Sequence, residues 1–557
     1  MERKKGISIL LATVITLVIA ALGFYFTLPA INVHSQGFWI VLTFLIIVWC
    51  IAYSLFNANE KVKVMGKKSF SFGKSKFCII AVAIPIAVLL IGNIISSTFF
   101  NAVAYSEIIE VKEAVFEEDM PETNTVTNIA LMDSDSAIRI GNRTLGSLSD
   151  VVSQFEVASD YSQINHRGVP AKVANLEYVD FFKWMNNKDE GIPGYVEVDP
   201  VNSDAKYVKL EKTMKYVDSA YFGEDLNRKL RFSYPTKIFG NIRFELDESG
   251  NPFYIVACMS PKIGLFGAMD VNEVIIFDPV DGSSELYPVS ETPSWIDNVY
   301  DGYLASEKFD WYGMYKNGFW NSVIGNKDCK VTTDDFGYII LGDDVWYFTG
   351  VTSITSDESN IGFIISNART GEYKFYPVIG AEEYSAMEAA QGEVQEKGYV
   401  ASFPSLINVS GEATYIMVLK DSNGIVKLCA LVNVENYSIV ATGTNQTEAK
   451  EAYIKLLVEN GILEEQIPAP EAPNEDELKS VEITVSAIND MVINGNSVIY
   501  LTDENGTLYK QTLSADESVM LISVGDKITL KYSDTDIEKI KQISSWVSSV
   551  QEAKTST

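Results

Sequence analysis

Three apolar runs free of charged side chains occupy most of the first hundred residues: 7–28 (ISILLATVITLVIAALGFYFTL), 37–56 (GFWIVLTFLIIVWCIAYSLF) and 77–95 (FCIIAVAIPIAVLLIGNII). At about 1.5 Å of helix rise per residue, each is long enough to cross roughly 30 Å of hydrocarbon. Only a helix or a closed barrel satisfies its own backbone in lipid, so such runs have little choice of structure. Trp39 and Trp49 stand towards the ends of the second run, where interfacial aromatics belong. Pro85 in the third would kink a soluble helix but is tolerated in a membrane one. MERKK resembles the start of a secretory signal. However, the run behind it is long, lacks a small-residue cleavage site, and is followed by two further spans, so it reads as a signal anchor. Residues 1–100 are therefore expected to form a three-helix membrane anchor.

Charge gives this anchor a direction. The first 76 residues hold nine Lys/Arg against two acids, a net of +7, so the remainder carries −37 of the total −30. Six lysines fall in 54–76, between the second and third runs, and three basic residues precede the first, while PAINVHSQ between the first and second holds none. The positive-inside rule places the tail and the lysine segment in the cytoplasm. Everything after about residue 100 is then extracytoplasmic, in a multi-pass plasma-membrane protein. A domain this acidic repels phosphate backbones, which argues against nucleic acid. It also repels anionic lipid, so it is expected to stand off the bilayer. The runs hold no ionisable acid or base that would line an ion or proton path, so the anchor reads as a tether or docking element.

Beyond the anchor the pattern changes to short alternating strands. Four stretches share one plan, an apolar strand, a turn of Asp, Asn, Gly, Pro or Ser, and a second strand: 194–208 (GYVEVDPVNSDAKYV), 274–289 (VIIFDPVDGSSELYPV), 362–378 (GFIISNARTGEYKFYPV) and, more loosely, 429–443 (CALVNVENYSIVATG). Each predicts a β-hairpin, and their recurrence predicts internal duplication. Helices are expected at 381–397 and 169–186, and a strand pair around the DSNG turn at 421–424. Residues 101–460 thus read as an α+β domain of repeated hairpin and helix units. Residues 461–479, with three prolines among many acids, read as a linker. Residues 480–557 read as a small OB-like β-barrel with a terminal helix at 536–550.

The order hairpin, helix, hairpin over 362–443 resembles PepSY-type domains, modules of secreted and membrane-tethered bacterial proteins. That resemblance implies protease inhibition or regulation rather than catalysis. The segments GIPGYVEVDP, RFSYPTKIFG, IGLFG, GFWNSVIG, ASFPSLINV and YSIVATG also look like those of long, membrane-anchored cell-envelope proteins of Gram-positive bacteria. This second likeness implies an envelope setting.

Chemistry-bearing motifs are few. Five scattered cysteines give neither a disulfide framework nor a metal spacing, and Cys258 and Cys429 lie in apolar runs as buried small hydrophobes. Two histidines, His34 and His166, are too few for a His-rich zinc site. Asp278-Pro-Val-Asp281-Gly-Ser-Ser-Glu285 alternates oxygen ligands but lacks calcium-loop spacing, so a plain turn is the reading preferred. Asp133, Asp135 and Asp150, or Asp334, Asp335, Asp343 and Asp344, supply carboxylate pairs of the kind glycoside hydrolysis needs, although 74 acids make such pairs common. No catalytic residue, metal ligand or cofactor is assigned. The aromatic stretch 309–320 (FDWYGMYKNGFW) is the one candidate binding surface, through Trp311, Tyr312, Tyr315, Phe319 and Trp320, with core packing as the competing reading. The expectation is a non-catalytic envelope protein that contacts the lipid bilayer and binds or regulates a protein partner. The alternative is an envelope hydrolase or transport-accessory subunit using acidic residues. Oligomeric state is left open.

Overall fold

A computed structural model of the protein describes residues 2–57, 76–123, 132–201, 204–333, 335–354, 356–463, 479–493, 496–513, 516–534 and 539–548. Most of the lysine segment and the acidic 464–478 stretch lie outside the described residues. The chain divides into two compact units, Met1–Leu456 and Leu457–Thr557.

The first unit is mixed α+β: three apolar helices followed by a β-rich domain. Helices α1 (Glu2–Thr27), α2 (Gln36–Asn57) and α3 (Lys76–Ser96) are each long and apolar enough to cross a membrane. They run up, down and up. Ser8 Oγ donates to Phe56 O at 3.0 Å and Trp49 Nε1 to Thr13 Oγ1 at 3.1 Å, setting α2 antiparallel to α1. Gln36 Nε2 donates to Asn93 Oδ1 at 3.1 Å, setting the start of α2 beside the end of α3. A fourth helix, α4 (Thr98–Ser106), follows α3 after a break at Ser97.

The β-rich domain repeats one unit four times: a helix, then a four-stranded antiparallel meander. The meanders are Ser162–His166, Val169–Tyr178, Ile192–Asp199 and Asp204–Met214; Ile238–Leu246, Pro252–Ile263, Gly267–Phe277 and Ser284–Pro288; Gly337–Leu341, Asp344–Ser353, Ser356–Asn367 and Tyr373–Tyr376; and Ser405–Val409, Glu412–Lys420, Val426–Asn433 and Val440–Gly443. In every one, each strand pairs antiparallel with the next. The four hairpins read from the sequence are the last two strands of the four meanders. Their turns share a device: Asp199, Asp278, Asn367 and Asn433 each accept a backbone N–H two or three residues on, at 2.7–2.9 Å. A short Asx side chain closes the turn locally, and the position is Asp or Asn in all four copies.

The helix ahead of each meander is also started alike. Helices Ser134–Gly146, Leu226–Ser233, Gly302–Tyr315 and Glu383–Glu393 are N-capped by Asp133, Asp225, Asp301 and Glu382, each accepting from the backbone N–H three residues on. A carboxylate there satisfies an orphan donor and faces the positive helix end.

Meanders one and two close on a shared core that includes Leu176, Tyr195, Val196, Phe244, Val256 and Phe277. Meanders three and four do the same through Phe348, Phe363, Tyr376, Tyr415, Met417 and Val432, with helix Glu383–Glu393 contributing Ala386 and Ala390. Helix Gly302–Tyr315 lies between the two sandwiches, giving Leu304 to the outer face of meander two and Phe309 to that of meander three.

Two expected helices are corrected. Residues 169–178 form a strand, held between Ser162–His166 and Ile192–Asp199, and only Phe181–Asn187 is helical. The apolar spacing that suggested one helical face is that of a strand buried on both faces. In the second unit the expected terminal helix is the strand Ile540–Ser548, hydrogen-bonded to Lys527–Asp534 on one side and Leu508–Thr512 on the other. Its run of Ile, Ser, Trp and Val suits a pleated surface, and two partners outweigh local propensity. That unit is a six-stranded sheet in the order Lys479–Thr484, Lys527–Asp534, Ile540–Ser548, Leu508–Thr512, Asn496–Thr502, Ala487–Ile493. Its core holds Ile483, Leu501, Tyr509, Ile528, Leu530 and Ile543.

Candidate interface between the anchor and the β-rich domain

The end of α1, the start of α2 and the end of α3 lie together, and three segments far apart in sequence bind there. The first is helix Leu226–Ser233. Arg228 and Arg231, three apart, share its anchor-facing side. Arg231 is 6% exposed; its guanidinium donates to Leu28 O at 2.9 Å, Lys237 O at 2.6 Å and Tyr234 O at 3.3 Å, and lies 4.1 Å above the Phe239 ring. Burial lowers its pKa, but a guanidinium keeps its charge, and its planar fork suits several carbonyls at once. Arg228 donates to Phe222 O at 2.6 Å and stacks 4.4 Å over Tyr25 at the end of α1. Just beyond, Ile31 N donates to Pro235 O and Asn32 Nδ2 to Thr236 O, both at 2.8 Å.

The second segment is the turn 264–267 between two strands of meander two. Ser96 Oγ, at the last residue of α3, accepts from Leu265 N at 2.8 Å and Phe266 N at 3.0 Å. Tyr105 OH donates to Ser96 O at 2.7 Å, and His34 Nδ1 lies 3.0 Å from Leu265 O, an acceptor, so that nitrogen carries the proton. The approach is close enough to require glycine. A Cβ on Gly267 would stand 2.5 Å from Ser96 O and from Tyr105 Oη, and one on Gly92 would stand 2.5 Å from the Phe266 ring.

The third is the aromatic segment, which divides. Phe309 is fully buried in the core. Trp311 and Tyr315 are half-buried against Tyr105, with ring centroids 5.1 and 6.4 Å away. Tyr312, also half-buried, lies under Lys330 and Lys316. Phe319 is half-buried against Phe99 at 5.1 Å, and Trp320, 5.9 Å from Phe99, is 63% exposed. Of the five residues picked from the sequence, four are wholly or partly committed to packing and one stands out. Hydrogen bonds and ring contacts at these three segments hold the domain against the helix ends. Arg228, Arg231 and Ser96 were missed; the i, i+3 arginine pair in an otherwise acidic domain was the available signal.

The candidate carboxylates are dispersed. Asp133 caps a helix and pairs with Lys420; Asp344 takes a two-point grip from Arg369 at 2.8 and 2.6 Å; Asp343 accepts from Asn165 Nδ2 at 3.0 Å. Asp335 accepts from Phe336 N, and Asp135 is exposed. Asp334 and the Asp150 side chain lie outside the described residues. Asp278–Glu285 is a hairpin turn in which Asp278 and Asp281 accept Val280 N and Ser283 N, as preferred from the sequence. All five cysteines are buried and unpaired, and burial pushes the Cys258 thiol up to about 12.

The sequence did not reveal the most perturbed acids. Glu245 is fully buried and accepts from Asp297 N, Asn298 N and Asn298 Nδ2 at 2.8–2.9 Å, while Asp297 Oδ2 accepts from Asn165 N at 2.7 Å. Burial, then the nearby Glu245 charge, raises Asp297 to about 9. Asn165, Glu245 and Asp343 belong to three different repeats, so this is a closed joint between them. A more open groove of about 140 Å³ lies between the edge strands Gly337–Leu341 and Ser405–Val409, lined by Met120, Tyr338, Ile340 and Leu406 among others. Part of the second edge is taken: Thr123 N donates to Asn408 O at 2.9 Å.

No family model matches the chain, and no curated protein matches it. Among solved structures it is similar to the Bacillus megaterium YpeB C-terminal domain, at 11% identity over 40% of this chain and 93% of that one. The TM-score is 0.09, a value on which no argument about fold or function rests.

Proposed function

We propose that the chain is a membrane-tethered, non-catalytic protein of the bacterial cell envelope that binds or regulates a protein partner. The observation carrying this reading is the triple attachment of the domain to the helix ends, through Arg231 to Leu28, the 264–267 turn to Ser96, and the Trp311 and Tyr315 rings to Tyr105. A simple tether needs one covalent link; here hydrogen bonds from the second repeat and ring contacts from the helix ahead of meander three add to it. Such a coupling suits a fixed platform or a regulator whose anchor and domain report on each other. The lysine-rich 54–76 segment supports a cytoplasmic N-terminus and an extracytoplasmic β-rich domain. Four copies of a capped helix and antiparallel meander support the PepSY-like reading. Weighing against an envelope hydrolase, Asp133 serves as a helix cap, Asp344 pairs with Arg369, and the strongly raised Asp297 sits in a closed joint.

Cross-linking in intact cells, followed by detergent extraction of the full chain, tests the proposal. A partner recovered in fixed stoichiometry is expected. A clean monomer with no cross-linked protein overturns it.

A further inference from the structure

Outside the three long helices, large apolar side chains are exposed together where α4 meets the end of the aromatic segment. Phe100 is 64% exposed, Val103 49%, Trp320 63%, Val323 56% and Ile324 75%. The two elements are joined by Phe99, which packs edge-on against Phe319 and Trp320. Phe99 and Phe100 come directly after α3, within one helical turn of Ser96. The patch is thus continuous with a helix long and apolar enough to span a membrane.

The turn is braced rather than loose. Asn321 Nδ2 donates to Lys327 O at 2.9 Å, its Oδ1 accepts Lys327 N at 3.2 Å, and Asn326 N closes on Asn321 O at 2.6 Å. Left-handed backbone at Gly318 (φ +84°) and Asn326 (φ +48°) brackets it. A braced turn displaying Trp, Val and Ile to water would be costly, because apolar area left in water forfeits the gain of burying it. Exposed Lys316 and Lys327 flank the turn, giving positive charge here in a domain of net negative charge. Trp and aliphatic groups with lysines beside them are the composition of an element seated at the head-group boundary.

We infer that Trp320, Val323 and Ile324, with Phe100 and Val103, form a keel that enters the head-group and acyl boundary of the bilayer beside α3. The keel makes a second, non-covalent attachment of the β-rich domain to lipid and fixes its tilt. Of the proposed function this inference takes only the membrane-tethered reading of the apolar helices, and it stands whether or not the domain binds a protein partner.

The test uses the full chain, purified and reconstituted into phosphatidylcholine vesicles containing phosphatidylglycerol. Ile324→Cys and, separately, Val323→Cys are labelled with an environment-sensitive fluorophore; both sites are exposed, and the native thiols are buried. Tyr437→Cys, at an exposed turn of meander four, is the comparison site. Labels at 323 and 324 are expected to be quenched about threefold more by nitroxide lipids than the label at 437, and about threefold less by aqueous iodide. Iodide quenching equal to that at 437 overturns the inference. So does protection from iodide that vanishes at one chain per vesicle, because a second copy of the chain would then be the cover.

Discussion

Replacing Asp297 by Asn should change how stability depends on pH more than it changes stability itself. Burial raises both carboxyls, but Glu245 accepts three N–H donors and Asp297 one, so Glu245 holds the charge of the pair and Asp297 the proton. In the folded chain Asp297 is raised to about 9 by burial and by Glu245, whereas an unfolded Asp titrates near about 3.9. Between those values the native state holds one proton more than the unfolded one. Stability therefore falls as pH rises, by up to about 1.4 kcal/mol per unit, or about 4 kcal/mol between pH 5 and 8. Asn keeps an oxygen to accept from Asn165 N and cannot ionise. Urea unfolding of the full chain in detergent, followed by tryptophan fluorescence at pH 5, 6.5 and 8, reads the difference between the two proteins. Glu383, raised to about 7, and Asp310, raised to about 6, titrate in both and cancel. The variant's advantage over the wild type should grow by about 4 kcal/mol between pH 5 and pH 8. A pH-independent offset, or an advantage that shrinks towards pH 8, would refute the proton assignment.

Arg231→Met leaves the carbonyls of Leu28, Tyr234 and Lys237 short of a donor, and should cost about 3–5 kcal/mol while opening the 28–35 segment to protease; Arg231→Lys should recover part of that protection, and full recovery would deny the fork its role. Gly267→Ala forces a Cβ onto Ser96 O and Tyr105, so the anchor contact should loosen, read as faster deuterium exchange at Leu265 and Phe266 with the meander two core unchanged. Breaking the buried Lys308–Asp270 pair as Lys308→Met should cost about 3–5 kcal/mol, and adding Asp270→Asn should restore much of it; strict additivity in thermal unfolding would show that the two groups do not interact.

The sequence by itself determined the elements whose cause is local. Uncharged runs of about twenty residues have one way to satisfy their backbone in lipid. The four hairpins were legible because Asp199, Asp278, Asn367 and Asn433 close their turns within two or three residues, whatever surrounds them. Tertiary structure decided everything that depends on a distant partner. Residues 169–178 and 540–548 are strands because neighbours on both sides pair with them, which no window of their own sequence contains. Four of the five candidate surface residues are half-buried, Trp311 and Tyr315 on Tyr105 and Phe319 on Phe99 among them. The perturbed acid at 297 and the seat of the β-rich domain on its helices come from groups more than fifty residues apart, and only the folded chain brings them together.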